Sequence, residues 1–188
     1  SLLQITNAMV ERSKKAEDKL KTASKRLSFM SDELQKAKES ADIDQLTGLP
    51  NRRSFERHFA IAVERSNKHA SNLSVAFIDI DHFKDINDNH GHDVGDRALA
   101  LMTKLLQEEV GALGLVGRLG GEEFGIYFPR MSAQEARILG EGLVARAQMT
   151  GAEGDEPWLH PSISIGATNR YEREPIGQTL KRADQALY

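Results

Sequence analysis

The chain has no cysteine among its 188 residues. This absence excludes disulfides, thiolate catalysis and cysteine-ligated zinc, and it fits a reducing, cytoplasmic location. No apolar run approaches the roughly 20 residues that cross a bilayer, so we expect no membrane segment in this stretch. A formal net charge of -3 provides no general positive field for nucleic acid. An anionic ligand therefore requires local cations or a metal ion.

Glycine and proline are absent from residues 1–41. Apolar or small residues recur there in alternating steps of three and four, at Leu20, Ala23, Leu27, Met30, Leu34, Ala37 and Ala41. This heptad stripe is typical of a coiled coil. A helix packed on its own domain is the alternative, but a helix of roughly 60 Å is too long to cover a small domain. We therefore predict that residues 1–41 form a dimerisation and signalling helix, with a sensory domain upstream.

Residues 42–188 have the pattern of a separate domain. Gly48 and Pro50 end the first helix, and Asn51 is a good cap for the next. Strands are predicted at Leu73–Ile80, Leu113–Leu119, Phe124–Phe128 and Pro161–Thr168, and helices at 51–68, 93–110, 132–149 and 175–188. Residues 81–92 read as a polar connection. The alternation of strands and helices predicts an α/β or α+β domain with one sheet and helices packed on it.

Carboxylates stand at two places where apolar segments end. Alternation along the first strand puts Asp79 at the end of an otherwise apolar face, where a carboxylate is costly unless it is paired or bound to metal. The second place is Gly120-Gly121-Glu122-Glu123, between two predicted strands. Two glycines there predict a tight hairpin turn, because both can adopt positive φ without steric cost.

Five polar residues fit a metal–nucleotide site, although each has an ordinary alternative as a solvated, turn or capping residue. Mg²⁺ usually takes one or two carboxylates plus substrate phosphates, and Asp79 and Glu122 form such a pair. Lys84 lies nearby in sequence and can meet a polyphosphate. Asn87 and Asp96 complement a guanine edge, which offers donors beside acceptors.

Six motifs occur in the order and spacing of one known family: DQLTGLPNRR, FIDIDHFKDIND, GHDVGD, RLGGEEF, SISIGAT and ADQALY. Residues 44 to 188 thereby resemble the GGDEF-domain diguanylate cyclases, in a GGEEF variant. The resemblance implies a central, mostly antiparallel sheet flanked by helices, similar to nucleotidyl cyclases and polymerase palms. A long coiled-coil helix would precede it.

The resemblance also implies roles for the acidic residues. Asp79, the carbonyl of Ile80 and Glu122 would bind Mg²⁺ or Mn²⁺. Glu123 would be a second acid that either binds metal or activates the attacking hydroxyl. Glu122, Glu123 and Lys84 would together form the catalytic set.

Substrate contacts follow from the same resemblance. Asn87 and Asp96 would bind guanine, and Lys84 with the backbone of Phe83 and His82 would contact the phosphates. Two GTP molecules would be condensed into cyclic di-GMP with release of two pyrophosphates. Because each module holds one GTP, two modules must face each other, and the N-terminal helix would set their orientation. A catalytically silent GTP-binding module and a plain dimerisation scaffold are the alternatives, but the scaffold leaves the acids unexplained.

Three positions bear on how closely the chain follows the family. Family members under product feedback carry an Arg-x-x-Asp motif where this chain reads Gly111-Ala112-Leu113-Gly114, so we expect no feedback through that position. The chain ends at Tyr188, before a Lys and an Arg that help the family hold the triphosphate, so we expect weak GTP binding. Asp96 stands where relatives that make mixed cyclic GMP-AMP have Ser, which favours GTP.

Overall fold

The structure is a computed structural model that describes residues 14, 15, 17, 19–27, 29–30, 42–153, 161–171 and 174–187. The chain divides into two compact units, Ser1–Ala41 and Asp42–Tyr188. In the first unit the described residues are helical, and Leu20, Leu27 and Met30 of the stripe are 71%, 68% and 67% exposed. The later stripe positions, 34, 37 and 41, lie outside the described residues. No helix in the described part of the chain has the length and apolar character to cross a membrane.

The second unit is a four-stranded sheet between two layers of helices. Its helices are α1 (Arg52–His69), α2 (Phe83–His90), α3 (His92–Val110), α4 (Ala133–Glu153) and α5 (Ile176–Asp184). Its strands are β1 (Leu73–Ile80), β2 (Leu115–Arg118), β3 (Glu123–Pro129) and β4 (Ile163–Asn169). The strand order is β2-β3-β1-β4, and every neighbouring pair is antiparallel. The predicted fold class is confirmed.

The two faces of β1 bury two separate clusters. Val75 and Phe77 pack on one face in a cluster with residues of α1 and α5, which include Phe55, Phe59 and Leu180. Ala76, Ile78 and Ile80 belong to the opposite cluster, with Leu99, Met102 and Leu143 of α3 and α4. Since side chains alternate along a strand, Asp79 belongs to the face of Phe77, toward α1 and α5. The central strand is thus buried on both sides up to its polar end.

Apart from shifts of up to about four residues at the ends of other elements, the structure differs from the predicted elements in two places. Residues 81–92 were expected to be a polar connection, but they contain α2. Only Phe83 and Ile86 of this short helix are apolar, and they pack against Val94 and Ala98 of α3, so tertiary contact supports a helix whose own pattern is too short to detect. The predicted start of β2 was also wrong, since Gly111–Leu113 forms a 3₁₀ turn before the strand.

The contact between β4 and α5 generates the first prediction. A Cβ on Gly166 would collide with the carbonyl oxygen of Ala183 and lie 2.6 Å from the backbone nitrogen of Leu187. Gly166→Ala must therefore push the end of α5 away from the sheet. We expect it to lower the free energy of unfolding by about 1–3 kcal/mol in urea titrations, the usual cost of overpacking.

Gly142 in α4 provides the matched control, because a Cβ there meets nothing within 4 Å. Gly142→Ala should leave the free energy of unfolding unchanged or raise it by up to about 1 kcal/mol, since alanine is the better helix former. Equal effects of the two substitutions would contradict the close contact at Gly166.

Candidate active site

Three polar side chains meet at the end of β1. Asp79 lies directly opposite Glu123 of β3 and opposite Ser164 of β4 in the strand register. Directly opposed residues project from the same face of a sheet, with Cβ atoms about 4.5–5.5 Å apart. The N–H of Ile80 donates to the carbonyl of Glu122 at 3.4 Å. The sheet therefore brings the strand-end aspartate and both hairpin glutamates to one place.

Negative charge is concentrated around Asp79. Burial raises the pKa of Asp79 from its ordinary value of 3.8 to about 6, and repulsion from Glu122, Glu123, Asp81 and Asp184 contributes in the same direction. A carboxylate in this environment gains from a cation that neutralises its neighbours. The electrostatics of the strand end thus favour a positively charged ligand.

A divalent cation fits this arrangement as a companion of the substrate. Among the described residues, no group of three or more His, Asp or Glu side chains is arranged to enclose a metal ion. Mg²⁺ typically binds through one or two carboxylates and completes its shell with water and substrate phosphates. The open set of Asp79 and the hairpin glutamates suits an ion that arrives with a polyphosphate.

Asp81 is a structural member of this cluster, although the sequence suggested for it only a solvated strand exit together with Asp79. Its carboxylate accepts a hydrogen bond from Ser164 Oγ at 2.6 Å, and its N–H donates to the carbonyl of Ser162 at 3.0 Å. Both bonds tie the exit of β1 to β4. The spacing Asp-x-Asp was the available signal, because alternation places Asp81 on the same side as Asp79.

Arg118 holds the turn that carries the glutamates. Its Nε donates to the carbonyls of Gly120 and Gly121 at 3.1 and 3.2 Å, and its Nη2 donates to Gly121 at 2.7 Å. Its Nη1 donates to Asp44 Oδ1 at 2.9 Å, and the same carboxylate accepts two bonds from Thr47. The turn that carries Glu122 and Glu123 is therefore fastened to the segment that opens the second unit. Sequence reasoning missed this role, which depends on contacts between residues 74 positions apart.

The expected reason for the two glycines was wrong. Neither Gly120 nor Gly121 is among the residues with positive φ. A Cβ on Gly120 would instead collide with Oε2 of Glu123, whereas one on Gly121 would meet nothing within 4 Å. The N–H groups of Leu119 and Gly120 both donate to the carbonyl of Glu123, at 2.8 and 3.3 Å. The absence of a side chain at Gly120 therefore leaves room for the Glu123 carboxylate to fold back over the turn, and a larger residue there would displace that carboxylate.

The two residues expected to bind guanine lie at the corner between α2 and α3. Gly91, with φ 87°, makes that corner, and its N–H donates to the carbonyl of Asn87 at 2.8 Å. A Cβ on Gly95 would collide with Oδ1 of Asn87, so the absence of a side chain there lets the Asn87 amide pack on α3. Asp96, the next residue, is exposed. The start of α3 has no side-chain cap bond, which removes the capping alternative for Asp96.

The expected phosphate contacts surround the corner between β1 and α2. His82 has a left-handed backbone with φ 55°, which turns the chain from the strand into the helix. Phe83 begins α2, and Lys84 in its first turn is exposed. The first N–H groups of a helix have no partner within it and attract anions. The roles of these residues, and that of Glu123 as metal ligand or proton acceptor, stay predictions.

An antiparallel sheet between helical layers, with carboxylates at the end of a central strand and at the adjoining hairpin, has the architecture of the palm-like cyclase domains. The family described as "Diguanylate cyclase, GGDEF domain" matches residues 41–188. The chain belongs to this family.

Three known proteins illustrate the similarity. Diguanylate cyclase DgcP of Pseudomonas aeruginosa is 35% identical over 156 residues, which are 82% of this chain and 23% of that protein. The coiled coil and GGDEF domain of DgcB from Caulobacter crescentus, in complex with c-di-GMP, covers 90% of this chain and 91% of its own, with a TM-score of 0.80 and 24% identity. The active GGEEF domain of a diguanylate cyclase from Vibrio cholerae is 35% identical, with a TM-score of 0.66, and covers 77% and 90%. The chain spans about a quarter to a third of the curated relatives first matched.

The raised pKa of Asp79 generates the second prediction. A folded-state pKa above the ordinary value means that the fold loses stability as pH rises from 3.8 through about 6, where Asp79 becomes charged. Asp79→Asn stays neutral, so without divalent ions it should melt at a higher temperature than the unsubstituted chain at pH 7.5. This advantage should shrink toward pH 4.

Asp88→Asn is the control for this measurement, because Asp88 is exposed on α2. Its melting temperature should track that of the unsubstituted chain at both pH values, as monitored by circular dichroism in a chelator. If Asp79→Asn melted lower than the unsubstituted chain at pH 7.5, the crowding of charge at the strand end would be refuted.

Proposed function

We propose that this chain is a diguanylate cyclase that condenses two GTP molecules into cyclic di-GMP and two pyrophosphates. The observation that carries the proposal is the register that sets Asp79 opposite Glu123 and beside Glu122. The site of Asn87 and Asp96 adds a surface suited to a base. The same signature occurs in the active GGEEF domain from Vibrio cholerae, at 35% identity.

Asp79, the Ile80 carbonyl and Glu122 would hold Mg²⁺ or Mn²⁺, which supplies Lewis-acid polarisation of the α-phosphate when bound. Glu123 lies opposite Asp79, and its negative charge further favours the binding of a cation at the site. Lys84 and the first N–H groups of α2 bind phosphate oxygens and orient the triphosphate of GTP across the end of β1. These contacts place the α-phosphorus for attack by the 3′-hydroxyl of the second nucleotide.

Asn87 and Asp96 would select the base. The Asp96 carboxylate accepts from the N1–H and N2–H₂ donors of guanine, and the Asn87 amide donates to an acceptor on the same base. Adenine presents a different order of donors and acceptors, which leaves the amide or the carboxylate unpaired. A site that depends on such pairing rejects the wrong base by about 10⁴ or more.

Two copies of the chain must face each other, because each module offers one set of guanine and phosphate contacts. The exposed Leu20, Leu27 and Met30 form an apolar stripe that a second copy of the helix would cover. Tethering two modules through this stripe raises their effective concentration and limits their relative orientations. We propose that this homodimer brings the two nucleotides together and that the helix transmits control.

The third prediction tests the reaction. The unsubstituted chain, incubated with GTP and Mg²⁺, should yield cyclic di-GMP and pyrophosphate on chromatography. Glu122→Ala should lower turnover at least about 100-fold, the scale of losing one preorganised electrostatic contact, with an unchanged circular dichroism spectrum. Glu108→Ala, at an exposed position of α3, should keep full turnover. Binding of GTP without product by a verified dimer would instead identify a silent GTP-binding module.

The fourth prediction tests orientation by the helix. Two residues inserted after Ser40 rotate the helix phase by roughly half a turn, whereas seven residues restore the heptad. We expect the two-residue insertion to lower turnover about tenfold or more and the seven-residue insertion to retain most of it, with dimerisation verified for both by light scattering. Equal turnover of the two insertions would leave tethering as the sole contribution of the helix.

A further inference from the structure

A cavity of about 280 Å³ opens directly beside Glu123, on the face of the sheet toward α1 and α5. Phe77 and Leu180 form its apolar floor, and Glu123 and Asp184 form its acidic side. Whole small-molecule ligands typically occupy about 300–1,000 Å³, so this volume suits part of a nucleotide. Glu123 and Asp184 belong both to the cavity wall and to the group of carboxylates around Asp79, so a ligand bound at the strand end would border the cavity.

Two cations line the same cavity, but they differ in availability. Arg52 contacts Glu56 through Nε and Oε1 at 3.2 Å. Lys181 forms no side-chain hydrogen bond or ion pair with any other residue that the structure describes, and it is exposed. A divalent ion at the carboxylates of the strand end would face one end of a polyphosphate. The far phosphates gain from a further cation besides Lys84, and on the side of this cavity Lys181 is available.

The helix that carries Lys181 is anchored firmly enough to position a ligand contact. Its neighbour Arg182 donates to Glu174 through Nε and Nη2, both at 2.7 Å, and to the Asn169 carbonyl at 2.6 Å. The guanidinium also lies 4.1 Å from the ring centre of Tyr171. Only 7% of the Glu174 side chain is exposed. These bonds fix α5 against β4, so the base of the Lys181 side chain has a defined place.

We propose that Lys181 binds the terminal phosphates of the nucleotide held by this module, in the cavity beside Glu123. This inference rests on the proposed function and adds a substrate contact to it. Lysine is a flexible point charge that suits phosphate oxygens without fixed bidentate geometry. The contact would work together with Lys84, which approaches the phosphates from α2 on the other side of the strand end.

A structural role for Lys181 makes a different prediction. The residue lies in the last turn of α5, where a cation interacts favourably with the helix dipole. Loss of that interaction would change the melting temperature but would leave the ratio of triphosphate affinity to monophosphate affinity unchanged. Loss of a phosphate contact would change the ratio between a triphosphate and a monophosphate.

Calorimetric titration of the 188-residue chain with excess Mg²⁺ separates the two roles. The probes are GMP and a GTP analogue with a methylene group between the α- and β-phosphorus, which cannot be turned over. Lys181→Met should weaken binding of the analogue about tenfold, the scale of one charge-assisted contact, and leave GMP affinity within about twofold. Lys181→Arg should recover most of the loss. Lys104→Met, an exposed lysine on α3, should change neither affinity.

Four outcomes would overturn the inference. If Lys181→Met weakened the binding of both ligands equally, or weakened neither, the phosphate contact would be contradicted. Equal affinity of the unsubstituted chain for GMP and the analogue would also contradict the phosphate contact, but it would still agree with binding of guanine at Asn87 and Asp96. Failure of the unsubstituted chain to bind either nucleotide would overturn the proposed function, and this inference with it.

Discussion

The register between β1 and its two neighbours is the constraint on which the candidate site depends. It sets Asp79 opposite Glu123 on one side and Ser164 on the other, at the end of a strand that is otherwise buried. Bringing several carboxylates together in a half-buried place is electrostatically unfavourable, as the raised pKa of Asp79 shows. The two apolar clusters on either side of the sheet hold the strands in this register regardless. A slip of one residue would turn every side chain of β1 to the wrong face, so the hydrophobic cores enforce the crowding of charge.

Two glycines around the site leave room for neighbouring side chains, and one arginine holds the backbone of the turn in place. Gly120 leaves room for the Glu123 side chain, and Gly95 leaves room for the Asn87 amide. Arg118 donates hydrogen bonds to the carbonyls of the turn and to Asp44. Burial acts to raise the pKa of Asp44, but the hydrogen bonds from Thr47 and Arg118 outweigh it and hold that pKa below its ordinary value. The turn that carries Glu122 and Glu123 and the first residues of the second unit therefore form one hydrogen-bonded assembly.

Several features of the fold could be predicted because their causes are local. The alternation in Leu73–Ile80 is strong enough to assign both faces of β1, and Asn51 caps α1 through its own side chain, which accepts from the Ser54 N–H at 3.1 Å. The helix α2 could not be predicted in the same way. Its eight residues carry two apolar side chains, and its stability comes from packing on α3 rather than from periodicity. The role of Gly120 could not be predicted either, because it depends on where the side chain of Glu123 lies, three residues later in the chain.

By itself, the sequence determined the fold class, the ends of the central strand and the identity of the acidic, amide and basic residues that a metal–nucleotide site requires. These follow from side-chain chemistry and from periods of two and of three to four residues, which are local properties. Only the tertiary structure decided which acids meet, how far the pKa of Asp79 rises, and that Arg118 and Asp81 support the site. It also decided that Lys181 faces a cavity beside Glu123. Such relations join residues far apart in the chain, and they arise only when the sheet register and the helix packing bring those residues together.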